Sequence, residues 1–335
     1  MIVKPQYIPL RLLAVEALLN HLPPGIPGRA AIEDELARRQ TGWRGEQELS
    51  FQLAGFQDTS TRILYDLHLG VRQETCQIDS LLLTQGFVSI VEAKNYSGTL
   101  HFLPDGQMIR SNGDRREGFP NPVLQVRRHS RMLRNWMAVG QYPTLAIETQ
   151  VAIANPATMI ENPANLRSVR ECVTHAEQIP SRIDQFIKKH PENLSPQLLS
   201  QIEQQLLKAN SEPSLDVLSW FKIRAEDLQR GIRCNHCHRY SMQRAYGTWR
   251  CSYCDGVSRT AHEQMILDYF LLLGPTMTNR QCREFLNVED RKLVRNLLLK
   301  MNISPVGSGH GRGLYYERPS QKFYHEFYLK NKMRN

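Results

Sequence analysis

The chain has 335 residues, 41% of them hydrophobic and 22% charged. That balance excludes wholesale disorder and collagen-like repetition and leaves room for two or three domains. The net charge of +9 is uneven: residues 1–230 hold 25 residues of each sign, while residues 231–335 hold 17 basic against 8 acidic. A basic segment of that size suits a polyanion, nucleic acid before a membrane surface, or is simply a soluble basic tail. The longest apolar stretches, 87–91 and 266–273, fall far short of a membrane span, and MIVKPQYIPLRLL lacks the apolar core of a signal peptide. A soluble, cytoplasmic chain is expected.

In chain order, residues 1–40 read as a helical extension in front of the first domain, broken by HLPPGIPG. A helix announced by Gly42 and Gly45 follows, with Leu49, Leu53 and Phe56 at helical spacing. Strands are expected at 62–69, 77–83 and 87–93, the last two joined by a hairpin at Gln85-Gly86. Residues 104–119 read as a loop. Asn121-Pro122 then caps and opens a helix that leads to a strand at 144–154. Helix, strands, helix, strand predict an α/β domain over 41–180. Residues 181–230 are expected as a polar helical connector, 231–257 as a cysteine module, 258–317 as three helices with a glycine-rich hairpin, and 318–335 as a basic tail.

The informative stretch is QIDSLLLTQGFVSIVEAKN. Asp79 opens one strand, and Glu92 and Lys94 project from one face of the next. Ionisable groups in an apolar hairpin are costly to bury unless paired or bound to metal. Two carboxylates brought together repel, and a hard divalent cation relieves that repulsion in a way that suits phosphate chemistry. Lys94 beside them can orient an attacking water and stabilise phosphate charge. An ion pair at a strand end is the plain alternative.

Asp79 followed by Glu92-x-Lys94 resembles the catalytic core of the PD-(D/E)xK nuclease superfamily. More closely, Gly42-x-x-Gly45-Glu46, Gln77-Ile78-Asp79, Ile90 to Asn95 with Ser97-Gly98, and Asn121-Pro122-Val123 with Gln125 are similar to the nuclease-related domain family, over residues 40–155. The resemblance implies a restriction-endonuclease-like fold with a mixed central sheet. It also implies that Glu46, Asp79 and Glu92 hold Mg²⁺ or Mn²⁺, that Lys94 orients water, and that Gln125 organises the site. Ile78 stands where the wider superfamily has proline, and Glu48 rivals Glu46. Beyond Gln125, Arg127, Arg131 and Arg134 share one helix face with Arg128 beside them, either a track for a phosphate backbone or a solvated surface.

Cys234-x-x-Cys237 and Cys251-x-x-Cys254 have the spacing of a closed, structural tetrahedral zinc site, and the module resembles a zinc ribbon. It either contacts nucleic acid through Arg239, Arg244, Tyr246 and Arg250 or serves as a rigid spacer. The last module resembles a winged helix-turn-helix. Its third helix would offer Arg291, Lys292, Arg295 and Asn296 to a major groove, with His310 and Arg312 in the wing.

The combined expectation is a metal-dependent nuclease, cytoplasmic or nucleoid-associated, that hydrolyses DNA phosphodiesters, with Zn²⁺ structural in the ribbon and duplex DNA as partner. A silent nuclease-like scaffold and an RNA-directed enzyme are the alternatives. No membrane partner is expected, and an oligomeric state is not readable.

Overall fold

The computed structural model describes residues 1–56, 60–71, 73–212, 214–307 and 313–332. The chain opens with strand β1 (Ile2–Lys4), helix α1 (Leu10–His21) and helix α2 (Arg29–Ala54). Strands β2 (Arg62–Val71), β3 (Glu74–Leu83), β4 (Phe87–Lys94), β5 (Thr99–Phe102), β6 (Met108–Asn112) and β7 (Arg115–Phe119) follow. Next come α3 (Pro122–Val139), β8 (Ala146–Ile153), β9 (Met159–Glu161), α4 (Arg167–Cys172), β10 (Val173–His175), α5 (Ile179–Lys189), α6 (Pro196–Ala209) and α7 (Val217–Phe221). The remainder is β11 (Met242–Ala245), β12 (Thr248–Cys251), β13 (Val257–Ser258), α8 (Ala261–Leu272), β14 (Thr276–Met277), α9 (Asn279–Leu286), α10 (Arg291–Lys300), β15 (Tyr316–Glu317) and α11 (Gln321–Lys332).

Two compact units result, and neither is contiguous in sequence. The first comprises Met1–Gln6 and Gln40–Pro213, the second Tyr7–Arg39 and Ser214–Asn335. No described helix is long and apolar enough to cross a membrane.

The first unit is a mixed α/β domain. Its six-stranded sheet runs β1-β2-β3-β4-β8-β10, with β2, β3 and β4 antiparallel neighbours and β4, β8 and β10 parallel. One face carries Leu67, Ile78, Leu81 and Ile90 under α3 and α6. The other carries Ile63, Tyr65, Leu82 and Val91 under α2 and α5. Residues 181–209, expected as a connector, are therefore sheet-covering helices: Ile183, Leu199, Ile202 and Leu206 are buried. The expected loop at 104–119 contains the β6–β7 hairpin instead, turned through Gly113 at φ 58°. With β5 and β9 it forms a second sheet, β7-β6-β5-β9.

The second unit is built around α8. Residues 7–39 pack here rather than in front of the first domain, because α1 is apolar on nearly every side and needs a core. His21 ties it in, one ring nitrogen 2.8 Å from the Gln229 carbonyl and the other 3.1 Å from Asp268 Oδ2. The expected tail also belongs to this core: Tyr324 on α11 is fully buried, and its hydroxyl donates to the Leu267 carbonyl at 3.1 Å. Around α8, Thr278 caps α9 through a reciprocal bond with Gln281, and Asp290 caps α10. A two-stranded pairing of β14 with β15, extended by a Val306–Tyr315 bridge, closes the module.

Candidate functional site

The site forms where β2 and β3 lose their regular alternation, beside a β4 that keeps it. In β2, Leu64 faces α3 and α6, yet so do Leu67 and Leu69; in β3, Cys76 and Ile78 share that face with Leu81 and Leu83. Each strand thus changes phase once, at Asp66 and at Asp79. The pairing register does not slip, since Tyr65 lies opposite Ser80 and Leu67 opposite Ile78. Asp66 and Asp79 consequently face each other across a gap in the ladder, with Asp66 held at φ 50°. Such a backbone conformation is uncommon outside glycine, and aspartate and asparagine are among the few residues that tolerate it.

The β3–β4 ladder stops at Ser80–Val91, and the carboxylate of Asp79 takes over, accepting the next free amide, Ala93 N–H, at 2.9 Å. On β4, Glu92 is buried. Its Oε1 accepts from Lys94 Nζ at 2.8 Å and from Gln125 Nε2 on α3. Asn121 holds the start of α3 in place by accepting from Val123 N–H, with Pro122 in the first turn. Glu92 Oε2 is buried with no hydrogen-bond partner, and His129 Nδ1 lies 3.6 Å from it.

Glu46 reaches the site from α2. The preceding Gly45 makes this approach possible, because a Cβ there would lie 2.8 Å from the Asn95 Cβ at the end of β4. Asn95 Nδ2 adds a hydrogen bond to the Thr41 carbonyl at 3.0 Å. Burial first, then repulsion from Asp79, Asp66 and Glu92, holds the Glu46 carboxyl well above the usual range. Burial and then Glu92 do the same to Asp79. Lys94 resists its own burial because Glu92 and Asp79 hold its charge, and its proton affinity is raised.

Glu46, Asp79, Glu92, Lys94 and Gln125 are thus brought into one electrostatically linked group. Arg127, Arg128, Arg131 and Arg134 lie exposed along α3 beyond it. Two residues were missed in the sequence. Asp66 looks like an interior position of a strand, although a charged residue inside LYDLHL was a signal that the strand does more than pack. Its Oδ1 accepts from Gln77 at 2.8 Å and His68 at 2.9 Å. His129 stands one helical turn after Gln125, buried against Glu92, with its proton affinity lowered chiefly by burial.

The donor set fits a hard divalent cation: oxygen ligands only, an orphaned buried oxygen on Glu92, and carboxylates whose mutual repulsion such a charge would relieve. A mixed α/β domain with carboxylates and a lysine gathered where its central strands part is consistent with a nuclease-like domain. Residues 41–154 match the nuclease-related domain, so the first unit carries that domain. No curated protein and no solved structure matches the chain.

The second unit holds a different donor set. Cys234, Cys237, Cys251 and Cys254 bring their sulfurs within 4.8 Å of one another. Cys234–Cys254 and Cys237–Cys251 are each 3.6 Å apart. Tetrahedral zinc with bonds of about 2.3 Å asks for about 3.8 Å between sulfurs, so the set is a close fit. The two turns repeat each other: His236 N–H points at Cys234 Sγ and Tyr253 N–H at Cys251 Sγ, both at 3.4 Å. Each then ends in a left-handed residue, His238 at φ 60° and Asp255 at φ 56°. The Ser241 hydroxyl, 3.1 Å from Cys251 Sγ, lowers the proton affinity of that thiol. Strands β11, β12 and β13 rise from these turns as a three-stranded sheet.

On α10, Arg291, Lys292, Arg295 and Asn296 are exposed, while Val294, Leu297 and Leu298 are buried. His310 and Arg312, expected in a wing, lie outside the described residues.

Proposed function

We propose that this chain is a metal-dependent nuclease that hydrolyses DNA phosphodiester bonds. The observation that carries the reading is the state of Glu92: one oxygen gripped by Lys94 and Gln125, the other buried and unbonded beside two carboxyls pushed toward protonation. A purely structural ion pair would not gather further carboxylates around it, since each adds repulsion in a poorly hydrated place.

Asp79, Glu92 and Glu46 are the residues that would hold Mg²⁺ or Mn²⁺. A divalent cation there supplies charge neutralisation at the phosphate and lowers the proton affinity of water. The chain's own residues do the rest. Lys94 lies within 2.8 Å of Glu92 and presents an ammonium to orient the attacking water and hold charge on the phosphate. Gln125 fixes Glu92 from α3, and the exposed arginines of that helix track the backbone of a bound duplex. In the second unit, the four cysteines hold a structural zinc, and α9 and α10 with the β14–β15 pairing act as a winged helix whose exposed Arg291, Lys292, Arg295 and Asn296 face DNA. This reading places the protein in the cytoplasm, acting on DNA.

The test is incubation of supercoiled plasmid and linear duplex with Mg²⁺ or Mn²⁺, comparing the wild-type chain with Asp79→Ala and Lys94→Ala. Cutting that needs the metal and disappears in both variants supports the proposal. Binding without cutting would overturn it in favour of a silent scaffold. Cutting of RNA alone would replace the substrate.

A further inference from the structure

The nuclease reading leaves the tip of the zinc module unexplained. Strands β11 and β12 are joined by a two-residue turn, closed by the Ala245–Thr248 pair and by a Thr248 Oγ1 bond to the Ala245 carbonyl at 2.8 Å. Both central residues are left-handed, Tyr246 at φ 43° and Gly247 at φ 82°. That turn type favours Asn-Gly, whose short polar side chain accepts the conformation with little strain. A tyrosine in the first position is strained, and its ring here is fully exposed. Contacts within the molecule therefore do not repay the residue for its conformation.

Its surroundings share one chemistry. Gln243 and Arg250 stand side by side across the hairpin, both exposed. Arg244 is exposed with its guanidinium 4.9 Å from the centre of the Trp249 ring. At the metal end, Arg239 stacks on the half-open ring of Tyr253, 3.4 Å from its centre. From Gly231 to Thr260 the basic residues are all arginines, 233, 239, 244, 250 and 259, against a single acid, Asp255. Asp255 pairs with Arg250 at 3.0 Å, but both side chains are largely exposed, so a phosphate can exchange for the carboxylate. An open aromatic ring among arginines, on a hairpin fixed by its cysteine turns, forms a platform for bases that are not already stacked in a duplex.

We propose that the β11–β12 hairpin binds single-stranded DNA, with Tyr246 stacking on an unpaired base and Arg244 and Arg250 meeting the flanking phosphates. This extends the nuclease reading by directing it to DNA with an unpaired stretch, such as an overhang or gap, but the binding itself does not depend on cleavage.

The experiment uses the full zinc-loaded chain carrying Asp79→Ala, and measures fluorescence anisotropy of a labelled single strand and of the blunt duplex of the same sequence. Tyr246→Asn should weaken single-strand binding about 5- to 150-fold, the worth of one stacked base, and change duplex affinity less than about 2-fold. The salt dependence should keep its slope, since no phosphate contact is removed. Tyr246→Phe should bind as the parent does. Because asparagine suits the turn, Tyr246→Asn should also melt no lower than the parent, which separates lost stacking from lost fold. Unchanged single-strand affinity in Tyr246→Asn, or equal loss for both forms of DNA, overturns the proposal. Failure of the wild-type chain to cut DNA would overturn the nuclease reading and leave this result standing.

Discussion

Gly98 sits four residues beyond Lys94, at the start of β5, and two of its properties can be separated by substitution. Its φ is 85°, and a Cβ built there would lie 2.1 Å from the Ser111 carbonyl oxygen on β6. The clash is with backbone in a paired strand, Thr99 being opposite Ser111, so relief requires the β5–β6 ladder to open. Gly106 shares the left-handed conformation, φ 87°, but has nothing within 4 Å, and Gly118 has neither the positive φ nor a neighbour. Replacement by alanine should therefore cost about 0 at Gly118, about 1 kcal/mol at Gly106 for conformation alone, and about 3 kcal/mol at Gly98, where overpacking adds to it. For a unit of this size the last figure is a fall of roughly 6–12 °C in melting temperature. Amide exchange of the six-stranded sheet, read by mass spectrometry in the intact chain, reports the first unit by itself. Gly98→Ala should also lower cleavage, because β5 carries on directly from the segment that follows Lys94. If Gly98→Ala proves no worse than Gly106→Ala, the close approach of β5 and β6 at this point is wrong.

Further outcomes follow from the charges and the cysteines. Glu46 and Asp79 have carboxyls held above their ordinary range, so ionisation is disfavoured in the folded state; stability rises as pH falls through their folded-state values. Glu46→Gln and Asp79→Asn should each stabilise the metal-free protein at pH 7 by about 0.5–2 kcal/mol while abolishing cleavage, and a lower melting temperature in both would contradict the repulsion. His262 accepts the Trp249 indole N–H at 3.0 Å and is brought down to about 4, chiefly by burial. Its contribution is complete above the unfolded value of about 6.5 and is lost as pH falls toward 4, up to about 3 kcal/mol. His262→Gln should flatten that slope in acid denaturation, and an unchanged slope would assign it to other groups. Metal analysis should find one zinc per chain, and chelation should expose the buried Trp249 and shift its emission to the red; Cys251→Ser should reproduce the shift without chelator.

The residues proposed to carry chemistry stand in short motifs that are visible in the sequence. Asp79, Glu92 and Lys94 announce themselves as charges inside apolar strands, Asn121-Pro122 as a capped helix start, and the cysteines by spacing. What was not legible depends on pairing. Asp66 acquires meaning only because the fold puts it opposite Asp79, with both strands changing phase at that level. His129 reads as one more polar residue on a basic helix until Glu92 is beside it. The supposed connector hid its role in spacing: Leu199, Ile202 and Leu206 repeat at helical intervals, a stripe that calls for a sheet to cover. The loop at 104–119 carried a hairpin signal in Asn112-Gly113-Asp114, masked by its many charges. The N-terminal helix could be seen, but not its destination, since nothing local tells an apolar helix which core will take it.

That destination bears on how the protein is made. α1 packs on α8, about 240 residues further along, so the N-terminal helix leaves the ribosome long before its partner exists. At about 5–20 residues per second, roughly 10–50 s pass with one of the most apolar helices of the chain unshielded. The whole of the first unit past residue 40 is synthesised in that interval and can fold inside it. Birth of this protein is thus a race with a built-in delay, in which the nascent helix needs either a chaperone or a provisional resting place. Slowed translation between residues 40 and 260 should lower the soluble yield more than the same slowing after residue 272.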